Sequence, residues 1–122
     1  MIQTAKALHD FFSGFGITAY TTQTVPDPAT LPYLTYPLQE PEWNRKATFY
    51  VTIYYRNESS NYESLAKADE ITAAIGKGLI LPCDGGYIVL WPETPLVQEL
   101  PPNGSVRGAY INLSLNAYHM PG

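Results

Sequence analysis

The longest alternating apolar stretch of the sequence is Ala47-Thr-Phe-Tyr-Val-Thr-Ile-Tyr-Tyr-Arg56. In an extended chain, successive side chains point to opposite faces of the sheet. Phe49 and Ile53 therefore lie on one face of this strand, and Tyr50 lies on the other. Because both faces carry large groups, the pattern indicates a strand that is covered on two sides. We interpret the face of Phe49 as core and the face of Tyr50 as a contact surface.

The segment from Val106 to Tyr118 repeats this design, with aliphatic residues on one side and tyrosine, asparagine and serine on the other. An uncharged face that carries tyrosines is typical of protein contact rather than of catalysis. We therefore predict that Tyr50 and Tyr54 of the first strand and Tyr110 of the second contribute to an interface.

The composition favours a single domain over residues 1–122. The chain has 122 residues and is 45% hydrophobic, which is enough to bury a core without disulfides or a metal. The net charge is -4, and only 7 residues are Lys or Arg, so binding to a phosphate backbone is not expected as the main source of affinity. Cys83 is the single cysteine, no signal-peptide pattern begins the chain, and no apolar run reaches membrane-spanning length, so we expect a cytoplasmic protein without membrane contact.

Two segments have helical periodicity. Apolar residues recur at three- and four-residue spacing over residues 2–13, and glycines follow as helix stops. The second helix begins at a capping box, Ser60-Asn-Tyr-Glu63, and ends at Gly76. The apolar stripe of this helix, formed by Leu65, Ala68 and Ile75, is predicted to pack on the strand face that carries Phe49. The closing strand is predicted to add Ile111, Leu113 and Leu115 to the same core.

The remaining segments predict further strands and two loops. Glycines and an aspartate, Asp84-Gly85-Gly86, join two apolar runs in a predicted antiparallel hairpin. Prolines interrupt residues 92–105, for which we predict a long loop with a short strand at 96–100. The predicted strands are residues 17–22, 33–38, 47–56, 79–83, 87–91 and 106–118. The expected fold class is α+β, a mostly antiparallel sheet with two helices packed on one face.

No pattern in the sequence indicates catalysis, a cofactor or a metal. Metal sites need several converging ligands, and Cys83 has no second thiol. Neighbouring His9 and Asp10 would point about 100° apart on a helix and cannot share a substrate proton. We therefore predict a protein that is not an enzyme.

Two tryptophans are candidate interface anchors. Trp43, with Arg45 close by, lies in the predicted loop 40–46, and Trp91 ends the predicted hairpin. Core packing is the alternative for each of them. We predict that the loops 40–46 and 92–105 carry much of any contact between subunits, because each is flanked by a predicted strand and can project without disturbing the core.

Four features of the sequence point to a known family: the order of these elements, the segment Pro32-Tyr-Leu-Thr-Tyr-Pro37, the strand from Phe49 to Arg56 and the closing strand. In these features the chain resembles the tail terminator family of long-tailed bacteriophages, which includes tail completion and minor capsid proteins. The resemblance implies a virion protein, present in the host cytoplasm during assembly. It also implies a homo-oligomeric ring, usually a hexamer, that caps the tail tube protein and meets the head connector protein, while DNA passes through without specific binding.

Two other interpretations stay open. A different neck component, such as a head-tail adaptor or stopper, would share the size, the acidity and the lack of catalytic groups. A tyrosine-rich α+β sheet can also line a pocket for a small ligand, which would require a deep apolar cavity with converging polar groups.

Overall fold

The computed structural model describes residues 2–37, 46–56, 61–83 and 85–119. The chain forms, in order, α1 (Ile2–Phe12), a short 3-10 turn (Ser13–Phe15), β1 (Thr18–Thr21), β2 (Tyr33–Tyr36), β3 (Lys46–Arg56), α2 (Asn61–Ile75), β4 (Leu79–Cys83), β5 (Gly86–Asn103) and β6 (Val106–His119). The strands form one sheet in the order β1-β2-β3-β6-β5-β4. β1 and β2 are parallel, and the other neighbours are antiparallel, which confirms the expected mostly antiparallel sheet.

The two long alternating strands lie together at the centre of the sheet. β3 pairs with β6 along its whole length, from Lys46 opposite Asn116 to Arg56 opposite Val106. Val51 stands opposite Ile111, and both side chains are fully buried. The alternation found in the sequence therefore sets the register, because a shift by one residue would move every apolar side chain of β3 to the other face.

Residues of both helices belong to the same buried core as the sheet. From α1, Leu8 and Phe12 are fully buried, and the Phe12 ring lies 4.9 Å from that of Tyr36 on β2. The buried stripe of α2 is centred one residue away from the prediction: Ser64 is buried, and Leu65 is only half-buried. The other predicted core residues are buried, namely Phe49, Val51, Ile53, Ala68, Ile75, Ile111, Leu113 and Leu115.

The sheet is curled rather than open. α1 contacts both β1 and β4, which are the two edge strands of the sheet. One helix can reach both edges only if the sheet bends around it. Within the part of the chain that is described, no helix is long and apolar enough to cross a membrane.

The predicted long loop at residues 92–105 is wrong, whereas the short strand predicted at 96–100 is present as part of β5. β5 continues through this segment to Asn103 and pairs with β6, and the turn falls at Gly104, whose φ is 60°. The prolines are accommodated because the pairing is irregular twice, between Pro92 and Val97 and between Leu100 and Asn103. At such bulges the ladder is interrupted, so the missing N–H of a proline leaves no pairing partner unsatisfied.

The other local predictions have mixed outcomes. The hairpin is confirmed: β4 pairs antiparallel with β5, and Gly85 in the connection has a φ of 82°. Ser60 of the predicted capping box lies outside the described residues, and so do residues 40–45 of the predicted loop 40–46.

Candidate interaction surface

Among the described residues, seven tyrosines and one tryptophan point away from the core on one face of the sheet. Residues directly opposite in neighbouring strands share a face, and Tyr33 stands opposite Tyr54, Thr52 opposite Tyr110, and Tyr87 opposite Tyr118. We call this surface the tyrosine face. Its aromatic members are Tyr20, Tyr33, Tyr50, Tyr54, Tyr87, Trp91, Tyr110 and Tyr118.

The tyrosines contact one another in three groups. The ring centroids of Tyr20 and Tyr33 are 5.7 Å apart, and those of Tyr33 and Tyr54 are 5.0 Å apart. They are 5.1 Å apart both in Tyr50 with Tyr110 and in Tyr87 with Tyr118. Each such contact contributes about 0.5–1.5 kcal/mol beyond the burial of area. These contacts fix the orientation of the rings before any partner binds.

The phenol of Tyr33 carries no charge at neutral pH. Burial raises the pKa of Tyr33 above its ordinary value, and the neighbouring phenols of Tyr54 and Tyr20 raise it further. Neutral phenols both donate and accept hydrogen bonds. The first group of tyrosines therefore offers an apolar surface with hydroxyl groups, which suits contact with another protein.

A bulge of β5 covers part of the tyrosine face. Pro92 of β5 stands opposite Leu113 of β6, and Val97 stands opposite Ile111. Four residues of β5 lie between these two pairs, whereas β6 has only Asn112 there. These four residues, 93–96, are called the bulge here. The side-chain amide of Asn112 donates to the carbonyl oxygen of Pro95, and Ser114 on the same face is fully buried. The polar residues of β6 therefore anchor the chain's own bulge rather than a partner.

Glu93 fixes one end of the bulge. Its Oε1 lies 2.6 Å from Nζ of Lys46 and accepts a hydrogen bond of 3.1 Å from Oγ of Ser114. The hydrogen bonds from Lys46 and Ser114 hold the pKa of the Glu93 carboxyl below its ordinary value. Because the folded pKa is depressed, the stabilisation is present above the unfolded pKa of about 4.3 and is lost as the pH falls through the folded value.

We expect Glu93→Gln to lower the free energy of unfolding at pH 7 and to have a smaller effect at pH 3, because a carboxyl whose folded pKa is depressed loses this stabilisation as the pH falls towards the folded value. Urea unfolding at pH 7, 5 and 3 measures this difference. Asp69→Asn, which changes an exposed carboxyl on α2, serves as the control and should show no such trend. A Glu93→Gln effect of equal size at all three pH values would show that the charge of Glu93 does not stabilise the bulge.

Trp91 lies at the margin of the tyrosine face and is 38% exposed. Its ring packs over Gly78, where a Cβ atom would lie only 2.9 Å from the ring. Beside it is a shallow depression of about 420 Å³, called the hollow here. The hollow is lined by Lys77, Gly78, Ile80, Tyr87, Val89, Trp91 and Tyr118.

A second depression of about 600 Å³, called the groove here, lies at the opposite end of the tyrosine face. Tyr33 and Tyr54 form one wall, and the turn between β5 and β6 forms the other. Its lining residues are Tyr33, Tyr54, Leu100, Pro101, Pro102, Asn103, Val106, Arg107 and Gly108. The volume is within the range of small-ligand sites, with Arg107 as its charged group.

Four of the six predicted interface residues are described, and all four lie on the tyrosine face. Tyr50 and Tyr110 are in ring contact, Tyr54 lines the groove, and Trp91 lines the hollow. The other two, Trp43 and Arg45, lie outside the described residues. Sequence reasoning missed Ile80, which is 63% exposed, although its position opposite Val89 would have placed it on this face once the hairpin was predicted.

Among the described residues, no group of three or more His, Cys, Asp or Glu side chains is placed to hold a metal. His9 is exposed on α1, and its Nε2 lies 3.4 Å from Oγ of Ser13.

Comparisons with known proteins show the fold alone. No protein-family model matches the chain, and no curated protein matches it. Thirteen solved chains are similar to it. One of these, which carries no functional name, superposes with a TM-score of 0.67 at 15% identity and covers 99% of this chain and 94% of its own. This class of mixed α+β fold with a curled six-stranded sheet is therefore shared with solved proteins.

Proposed function

We propose that the chain is a structural virion protein, a phage tail terminator that forms a ring, caps the tail tube and meets the head connector. The observation that carries the proposal is the tyrosine face, an aromatic surface on which Tyr50 is 54% exposed. In this proposal both helices pack on the core face, so the tyrosine face stays open to other proteins. The protein has no enzymatic activity in this role and is located in the virion and, before assembly, in the host cytoplasm.

The charge of the chain supports the same role. The net charge is -4, so a ring lumen built from this subunit would repel phosphates and let DNA pass without specific binding. The charged side chains near the middle of the tyrosine face, Lys46 and Glu93, neutralise each other. That face therefore meets its partner through aromatic and hydroxyl groups.

We expect Tyr50→Ala to weaken assembly by about 2 kcal/mol or more while it changes the stability of the monomer by less than about 1.5 kcal/mol. Truncation of an aromatic anchor in an interface has an effect of this size, whereas the intramolecular loss is limited to the edge contact with Tyr110. Ring formation or binding to purified tail tubes, measured beside urea unfolding, separates the two effects. Unchanged assembly by Tyr50→Ala would remove this part of the tyrosine face from the interface.

A head-tail adaptor or stopper would use the same surface at another position of the neck. Microscopy of labelled particles distinguishes these positions: the terminator lies at the end of the tail tube, and the other components lie on the connector side.

The groove favours a second candidate function, the binding of a small ligand. Its volume of about 600 Å³ and its tyrosine wall suit a ligand with an aromatic or apolar body. A thermal-shift screen of the monomer tests this candidate. Ligands that stabilise the wild type and not a Tyr54→Ala variant would support it, and the absence of any stabilising ligand would reject it.

A further inference from the structure

The large apolar side chains that the structure exposes are not all in one place. Ile80 and Trp91 line the hollow, at the β4 margin of the tyrosine face. Tyr62 is 75% exposed, more than any other of these residues, and projects from the first turn of α2. The chain thus has a concave apolar site and a protruding aromatic side chain.

The charges beside these two features are opposite. Lys77 is exposed and is the charged residue that lines the hollow. Glu63 is exposed next to Tyr62. Among the described residues that line the same depression as Tyr62, the other two ionic groups bind each other: Nζ of Lys67 lies 2.9 Å from Oε2 of Glu70 and donates to the carbonyl oxygen of Phe15. Glu63 therefore gives the surface around Tyr62 its negative charge.

The two features lie too far apart to meet within one chain. Tyr62 is at the beginning of α2, near Pro32 and Tyr55. Lys77 follows the end of the same 15-residue helix, which at 1.5 Å per residue is about 22 Å long. Two complementary surfaces at different sides of a subunit are what a head-to-tail contact requires, and such contacts close into rings.

We propose that Tyr62 of one copy of this chain inserts into the hollow of a second copy, where Glu63 pairs with Lys77. This inference rests on the proposed function, because it describes the contact between neighbouring subunits of the ring. Tyr62 packs against Ile80 and Trp91 of the second copy, and the ion pair at the rim sets the orientation.

The contact is tested by exchanging the charges of Glu63 and Lys77. Ring formation is measured under the conditions in which the wild type forms rings, either at high protein concentration or on tail tubes. Lys77→Glu alone and Glu63→Lys alone are each expected to weaken ring formation about tenfold or more, because like charges then face each other. The double variant is expected to recover, and so is an equimolar mixture of the two single variants, in which subunits alternate. Lys6→Glu, an exposed change on α1 with the same change in net charge as Lys77→Glu, is the control and should leave rings intact.

Cysteine cross-linking gives an independent measurement of the same contact. In a Cys83→Ser background, a protein that carries both Tyr62→Cys and Ile80→Cys should form covalent multimers on oxidation, and each single cysteine variant should not. Rings that form equally well with Lys77→Glu, Glu63→Lys and the wild type would overturn this contact and leave the ring proposal standing. A wild type that forms no ring, alone or on tail tubes, would overturn both.

Discussion

Replacement of Gly108 by alanine is expected to lower the free energy of unfolding by about 3 kcal/mol or more, because an added Cβ atom would come closer to another atom here than at the other described glycines compared with it. Gly108 of β6 stands opposite Tyr54 of β3. A Cβ atom at this position would overlap the carbonyl oxygen of Ile53 and lie 3.1 Å from its carbonyl carbon. These are backbone atoms of the central strand pair, so relief requires the two strands to separate rather than a side chain to rotate.

Gly14→Ala is the matched control for this prediction. No heavy atom lies within 4 Å of the position that its Cβ would take. We expect a change in stability of less than about 1 kcal/mol, in the stabilising direction if the backbone is compatible with alanine. Urea unfolding of both variants measures the comparison. Equal stability of Gly108→Ala and Gly14→Ala would contradict the close approach of β3 and β6.

Replacement of Ile53 by alanine is expected to lower the free energy of unfolding by about 2–5 kcal/mol. The Ile53 side chain is fully buried, and Ile53 stands between Leu34 of β2 and Ala109 of β6. Because strands hold this site on both sides, the cavity left by the lost methyl groups cannot close by movement of a loop, which places the expected effect in the upper part of the range.

Tyr50→Ala is the control for the Ile53 prediction, since it removes a larger side chain from the opposite face of the same strand. Denaturant unfolding of the two variants under identical conditions shows which face of β3 is the core. If Tyr50→Ala destabilises the monomer as much as Ile53→Ala, both faces are core, and the argument for an interface on the tyrosine face fails.

The centre of the fold is predictable from the sequence because local pattern and tertiary contact agree there. β3 and β6 alternate strictly, and each places its aliphatic residues on the same buried face. The helix bounds follow from periodicity and glycine stops in the same way: α1 ends at Phe12 and α2 at Ile75. These signals are local, so a single sequence is sufficient to read them.

The path of β5 is not predictable in this way. Four prolines between residues 92 and 102 favour a loop, and only the pairing with β6 keeps the segment extended. The curl of the sheet around α1 likewise depends on contacts between elements that are distant in sequence. Propensity describes neither effect, because tertiary pairing decides both.

The candidate site is predictable in composition but not in shape. Alternation places Tyr50, Tyr54 and Tyr110 on one face, where the structure also has them. The same alternation assigns Asn112 and Ser114 to an open surface, whereas the bulge covers them. The hollow depends on the hairpin register that brings Ile80 opposite Val89 and also on the packing of the Trp91 ring over Gly78, and alternation does not predict this second contact.

The central claim, that this chain forms a ring, is tested most directly by the mass of the purified wild-type protein in solution. Sedimentation measures this mass over a wide concentration range, and the measurement is repeated in the presence of tail tubes. The account predicts a closed oligomer several times heavier than the 13.6 kDa subunit, formed either at high concentration or on the tube end. A mass of one subunit at every concentration, together with no binding to tail tubes, would contradict it.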